Sequence, residues 1–117
     1  MATDVGAGTT FNMFKTYGDA YKVSQLRSEP ISPLEGFYLM TQGAAVAHAL
    51  DHEIGNLNPG TTADFIVVEP RFDELTLRIK ENADFDDVFF ALSILGDDRA
   101  IDQTWISGTC RYKKEHH

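Results

Sequence analysis

The chain changes character at Asn58-Pro59-Gly60. Before this point apolar residues recur at helical spacing. Directly after it, Phe65-Ile66-Val67-Val68 is an unbroken β-rich run, ended by Pro70. Pro59-Gly60 suits the centre of a type II turn: proline fixes φ at the first central position and glycine accepts a positive φ at the second. A four-residue apolar run bounded by turn residues reads as a buried strand. A helical first half joined to a strand-rich second half limits the fold to α+β, or to the tail of one domain joined to part of another. The length, 117 residues, has room for one modest core.

The helices have their own signals. Phe14, Tyr17, Tyr21, Val23 and Leu26 make an apolar stripe that predicts a helix over 10–27, capped by Thr9 or Thr10. Ser32-Pro33-Leu34-Glu35 reads as an N-cap, a proline at the first helical position and a capping-box glutamate. A second helix should therefore start at Pro33, loosen near Gly43 and reach about Leu50. Phe85, Val88, Phe89, Leu92 and Leu95 fall on one face of a third, over 84–95, with Gly96 as its C-cap. Between them 75–79 could form a strand. The segment 103–114 reads as two strands about a Ser107-Gly108 turn.

Candidate chemistry is sparse. Asp4 stands before Gly6 and Gly8, where the backbone can turn sharply; without context, such an aspartate is a turn or cap residue. His48 and His52 have the i, i+4 spacing that places two imidazoles on one helix face, but no zincin-type glutamate lies between them. Leu95-Gly96-Asp97-Asp98-Arg99 offers two carboxylates that could hold a cation, and reads more simply as a solvated loop with an Asp–Arg pair. Gly6-Ala7-Gly8 lacks the third glycine of a dinucleotide loop, since Phe11 stands there. No serine or cysteine has a nucleophile setting.

A formal net charge of −8 argues against nucleic acid or an anionic membrane as partner. The single Cys110, in a predicted strand, excludes an internal disulfide and reads as structural, which favours a reducing, cytoplasmic setting. No stretch reads as a membrane span or signal peptide. His116 and His117 read as a polar tail or a purification-tag remnant, and Met1 as an added or reassigned start.

Taken in order, "TDVGAGTTFNMF", "SPLEGFYLMTQGAA", "IGNLNPGTTADFIVVEP" and "LGDDRAI" resemble the C-terminal quarter of bacterial-type guanine deaminases, of the metal-dependent amidohydrolase superfamily. The third block is common across amidohydrolases; the first and last point to the guanine branch. The resemblance implies a (β/α)8 barrel followed by a small β-sandwich. Residues 1–51 would be the end of the barrel, with Thr3 to Val5 closing its last strand. Residues 52–113 would be part of the sandwich, with a strand over 54–57 and one helix near 85–95, and 114–117 a tail. It also implies a role for Asp4: the aspartate ending the last barrel strand contacts the catalytic zinc or its bound water. It accepts a proton as hydroxide attacks the ring carbon bearing the amine.

The family's His-x-His pair, two further histidine ligands and its glutamate acid/base have no counterpart among these residues. A zinc site needs three or four protein ligands and Asp4 is one, so the chain alone is expected to bind no zinc and to be inactive. His48 replaces an apolar residue of the family pattern, and Thr61-Thr62 replace a Lys-Glu pair. Two other readings stay open. One is a stand-alone, non-catalytic module whose unpaired strand edges make a homo-oligomer. The other is a segment of a chlorohydrolase-like or cytosine-deaminase-like amidohydrolase.

Overall fold

The computed structural model describes residues 1–115; His116 and His117 lie outside the described residues. The fold is α+β, as the order of patterns implied. Helices α1 (Met13–Leu26), α2 (Pro33–Met40) and α3 (Gln42–Ala47) precede strand β1 (Phe65–Val68). A 3-10 turn (Thr76–Arg78), α4 (Phe85–Leu95), a second 3-10 turn (Asp98–Ala100) and strands β2 (Ile101–Ile106) and β3 (Thr109–Lys113) follow. The strands form one antiparallel sheet in the order β1-β2-β3.

Local chemistry explains most boundaries. Ser32 and Glu35 form the reciprocal capping box, and Pro33 opens α2. Asp84 caps α4 by accepting from the Asp87 amide. The Thr61 amide donates to the Asn58 carbonyl across Pro59-Gly60, with φ +97° at Gly60, so the turn closes as read. Ser107 and Gly108 both have positive φ, the geometry whose twist matches a two-residue hairpin.

Several expectations are corrected. Asn12, not Thr9 or Thr10, caps α1: its Oδ1 accepts from the Phe14 amide, while Thr10 Oγ1 accepts from the Asn12 amide. The buried face of α1 runs through Phe14, Tyr17, Gly18 and Ser24; Leu26 is 86% exposed. The helix predicted to reach Leu50 breaks at Thr41, whose hydroxyl turns back onto the Phe37 carbonyl at 2.7 Å, and α3 stops at Ala47. Residues 75–79 are not a strand, because Asp73 and Thr76 wind them into a 3-10 turn. Residues 54–57 are not a strand either: Gly55 takes φ +91° and lies so close to Ala45 that a Cβ would collide. Residues 3–5 form no strand, and Asp4 itself has φ +49°. Gly96 is the C-cap of α4 as expected, in an extended conformation; glycine is needed there because a Cβ would meet the Leu92 carbonyl and the Phe14 ring. Cys110 lies in β3 but is exposed.

The core is small. Phe14, Leu92 and Ala100 are buried together, with Phe37, Val68, Phe72 and Ile101 packed around them. Aromatic contacts extend it: Phe37 lies edge-on to Phe89 at 4.4 Å, and Tyr21 to Phe90 at 5.4 Å. In the sheet Phe65 stacks on Trp105 at 5.5 Å. β1, read as a buried strand, is an edge strand with Ile66 and Val67 exposed. Among the described residues, exposed large apolar side chains outnumber buried hydrophobic ones several-fold. The radius of gyration is 15.0 Å, against about 13 Å for a compact domain of this length.

Candidate functional site

Asp4 sits in a tight turn. Its carbonyl accepts from the Ala7 and Gly8 amides at 3.0 and 2.6 Å. The positive φ at Asp4 and at Gly6 (+100°) lets the chain reverse, and a Cβ at Gly8 would run into the Thr3 carbonyl. A positive φ is uncommon outside glycine, and aspartate is one of the few other residues enriched there. The Asp4 side chain is exposed and has no partner among the described residues. Its turn feeds into α1 through Thr9, whose hydroxyl donates to Asp19 Oδ2 at 2.6 Å, and through Thr10 and Asn12. Asn12 Nδ2 reaches the Gly96 carbonyl at 3.4 Å, which ties this end of α1 to the end of α4.

Beside this junction lies an open groove of about 810 Å³, lined by Phe14, Phe37, Met40, Ile66 and Ile101 together with Asp97 and Asp98. Phe11 stands at its edge, 81% exposed.

The histidine pair does not assemble. α3 ends at Ala47, so His48 and His52 share no helix face; both are exposed, and His52 pairs with Glu53 at 3.2 Å. No group of three or more His, Cys, Asp or Glu side chains able to hold a metal occurs among the described residues.

The Leu95–Arg99 motif proves more specific than a solvated loop. Arg99 grips Asp97 with two nitrogens, at 2.8 to 3.1 Å, and reaches Asp73 Oδ2 at 3.1 Å. Its guanidinium lies 5.1 Å from the Phe72 ring centre. Both carboxylates are only about a quarter exposed. The hydrogen bonds from Arg99 hold the Asp97 carboxyl below the usual carboxylate range. The Thr76 amide and hydroxyl, then the Arg99 charge, do the same for Asp73. The sequence signal for this second partner is Asp73-x-x-Thr76, a spacing at which the two side chains cap each other's backbone.

Comparison with known proteins places this architecture. The Amidohydrolase family pattern matches residues 1–110. Guanine deaminase of Escherichia coli K12 is 46% identical over 115 residues, 97% of this chain and 26% of the relative. Human guanine deaminase is 29% identical over 118 residues, again 26% of its length. Among solved structures, E. coli guanine deaminase superposes with a TM-score of 0.89, and guanine deaminase from Bradyrhizobium japonicum with 0.83 at 32% identity. The chain spans about a quarter of the length of the relatives it matches. With nearly every described residue inside the matched span, the chain belongs to the amidohydrolase family, as a piece of guanine deaminase type.

Proposed function

We propose that this chain is the C-terminal part of a zinc-dependent guanine deaminase. The whole protein would hydrolyse guanine to xanthine and ammonia in the cytoplasm: water adds to the ring carbon, and the carbon–amine bond breaks. The observation that carries the reading is a 97% match of the chain at 46% identity, with a TM-score of 0.89. Residues 1–51 would complete a barrel and 52–113 part of a sandwich. Asp4 would be the carboxylate this chain brings to the metal and to the proton transfer. Its strained, exposed turn suits a residue kept for chemistry rather than for packing. The described residues do not themselves fit a zinc ion, since they offer one such carboxylate where three or four ligands are needed. The remaining ligands must come from outside them.

The test is a chimera in which residues 1–115 replace the matching quarter of the E. coli enzyme. It should deaminate guanine, and Asp4→Asn should cost roughly 100-fold or more. A folded chimera that turns over a chlorinated or pyrimidine ring instead would favour the other amidohydrolase reading.

The second reading, a self-associating non-catalytic module, draws on a different observation. Both β1 and β3 are open sheet edges, and much apolar surface is bare.

A further inference from the structure

We infer that Arg99 is the latch of a strap, residues 70–83, which it holds to the end of the sheet through the Asp73 carboxylate and the Phe72 ring. This stands apart from the proposed deaminase reading. The strap's own bonding shows why a latch is needed. Among the described residues, the backbone–backbone hydrogen bonds donated from 71–83 close inside the segment: Leu77 to Asp73, Arg78 to Leu75, Ile79 to Thr76, Ala83 to Lys80; the Arg71 amide donates to Glu69 Oε1 just before it. Thr76 is buried, yet its amide and hydroxyl are satisfied by Asp73 and its hydroxyl also accepts from the Phe72 and Asp73 amides. Leu75 and Leu77 point to solvent. Phe72 against the Phe14–Leu92–Ala100 cluster and the Asp73–Arg99 pair join this turn to the body. Arg99 serves both, since its guanidinium also covers Phe72. Asp97 fixes the fork from the other side, so that two carboxylates share one cation.

Arginine suits this post because its planar fork can hold one carboxylate with two nitrogens, reach a second and stack on a ring; lysine offers a point charge. The neighbouring charges are few. Lys15 of α1 lowers Asp97 further, Lys114 Nζ caps the Arg99 carbonyl at 2.7 Å, Asp98 is adjacent, and Arg71 pairs weakly with Glu81 at 3.8 Å across the strap. The folded carboxyls of Asp73 and Asp97 titrate below their ordinary values. The latch therefore holds above the unfolded value of about 4 and lets go as pH falls through the lowered values.

Hydrogen exchange on the full chain tests this. In Arg99→Gln the amides of 72–79 should exchange roughly five-fold faster or more, while those of β2 and β3 keep their rates. Arg99→Lys should fall between. In the unmodified chain, 1 M salt should loosen the same amides selectively, which covers the case of a variant that does not fold. Unchanged strap protection in Arg99→Gln, full protection in Arg99→Lys, or a uniform rise across the chain under salt would each overturn the latch.

Discussion

Gly36 packs directly on the Tyr17 ring: a Cβ built on it would overlap the ring atoms. Tyr17 cannot retreat. It is fully buried, and its hydroxyl donates to the Ile31 carbonyl at 3.1 Å, while burial pushes its phenol up from the ordinary value. Gly36 lies in the second turn of α2, so alanine would gain up to about 1 kcal/mol of helix propensity. Overpacking against a fixed ring costs about 1 to 3 kcal/mol. The clash wins, and Gly36→Ala should lower the urea midpoint. Pairing it with Tyr17→Leu, which opens the space, should give a non-additive recovery. Additive losses would show that the two residues do not share this space.

The capping box of α2 should make its helicity sensitive to acid. The Ser32 amide and then its hydroxyl hold the Glu35 carboxyl below its ordinary value. A depressed carboxyl stabilises the fold above its unfolded value, near 4.3, and that support fades as pH falls through the folded value. Circular dichroism of the chain should lose helix between about pH 5 and 3, with a shallower loss in Glu35→Gln. Ser32→Ala should cost about 1 kcal/mol near neutral pH. Identical acid profiles for the parent chain and Glu35→Gln would remove the box from the account.

How far these elements were legible follows from where their causes lie. Ser32-Pro33-Leu34-Glu35, Pro59-Gly60 and Ser107-Gly108 carry their structure within four residues, and each forms as read. Phe65–Val68 was legible as a strand but not as an edge, because that depends on which strands lie beside it. Asn12 outcompetes Thr9 and Thr10 as cap because Asp19 and the Asn12 amide occupy the threonine hydroxyls. The 3-10 turn at Thr76 comes from side chains bonding nearby backbone, which apolar periodicity does not register, and the break at Thr41 lies in a non-helical backbone (φ −123°, ψ −103°) inside an otherwise continuous apolar pattern. The Asp–Arg pair within Leu95–Arg99 was legible and forms between Asp97 and Arg99; the second partner of Arg99 was beyond local reading, since Asp73 lies 26 positions earlier (99 − 73). Asp4 was suggestive from its glycines; the role proposed for it comes from the family resemblance and not from the residues around it.

Asp4 should prove dispensable, or worse, for stability. Its side chain is exposed and its φ of +49° is one that glycine adopts without strain. Asp4→Gly should therefore leave the unfolding free energy unchanged or raise it by up to about 1 kcal/mol, as strain at a site kept for function predicts. In the chimera with the E. coli enzyme the same change should abolish guanine turnover. A loss of stability of more than about 1 kcal/mol, outside the range expected for a surface change, would make Asp4 a structural turn residue instead.

The open edge of β1 gives the remaining test. Ile66 and Val67 are exposed on an outer strand with no lysine or proline inside the run, while β3 carries Arg111 and Lys113. Charged residues, lysine above all, blunt an edge against pairing, so β1 is the vulnerable side. The charge of −8 opposes association between copies, and added salt screens it, with a Debye length of about 8 Å at physiological strength. Self-association should therefore grow with salt, the reverse of a charge-driven contact. Light scattering of the chain at rising concentration and salt should show dimers or larger species, and Val67→Lys should return it toward monomer. A monomer at all salt concentrations, or an assembly indifferent to Val67→Lys, would leave β1 with no part in pairing copies and would count against the self-associating module.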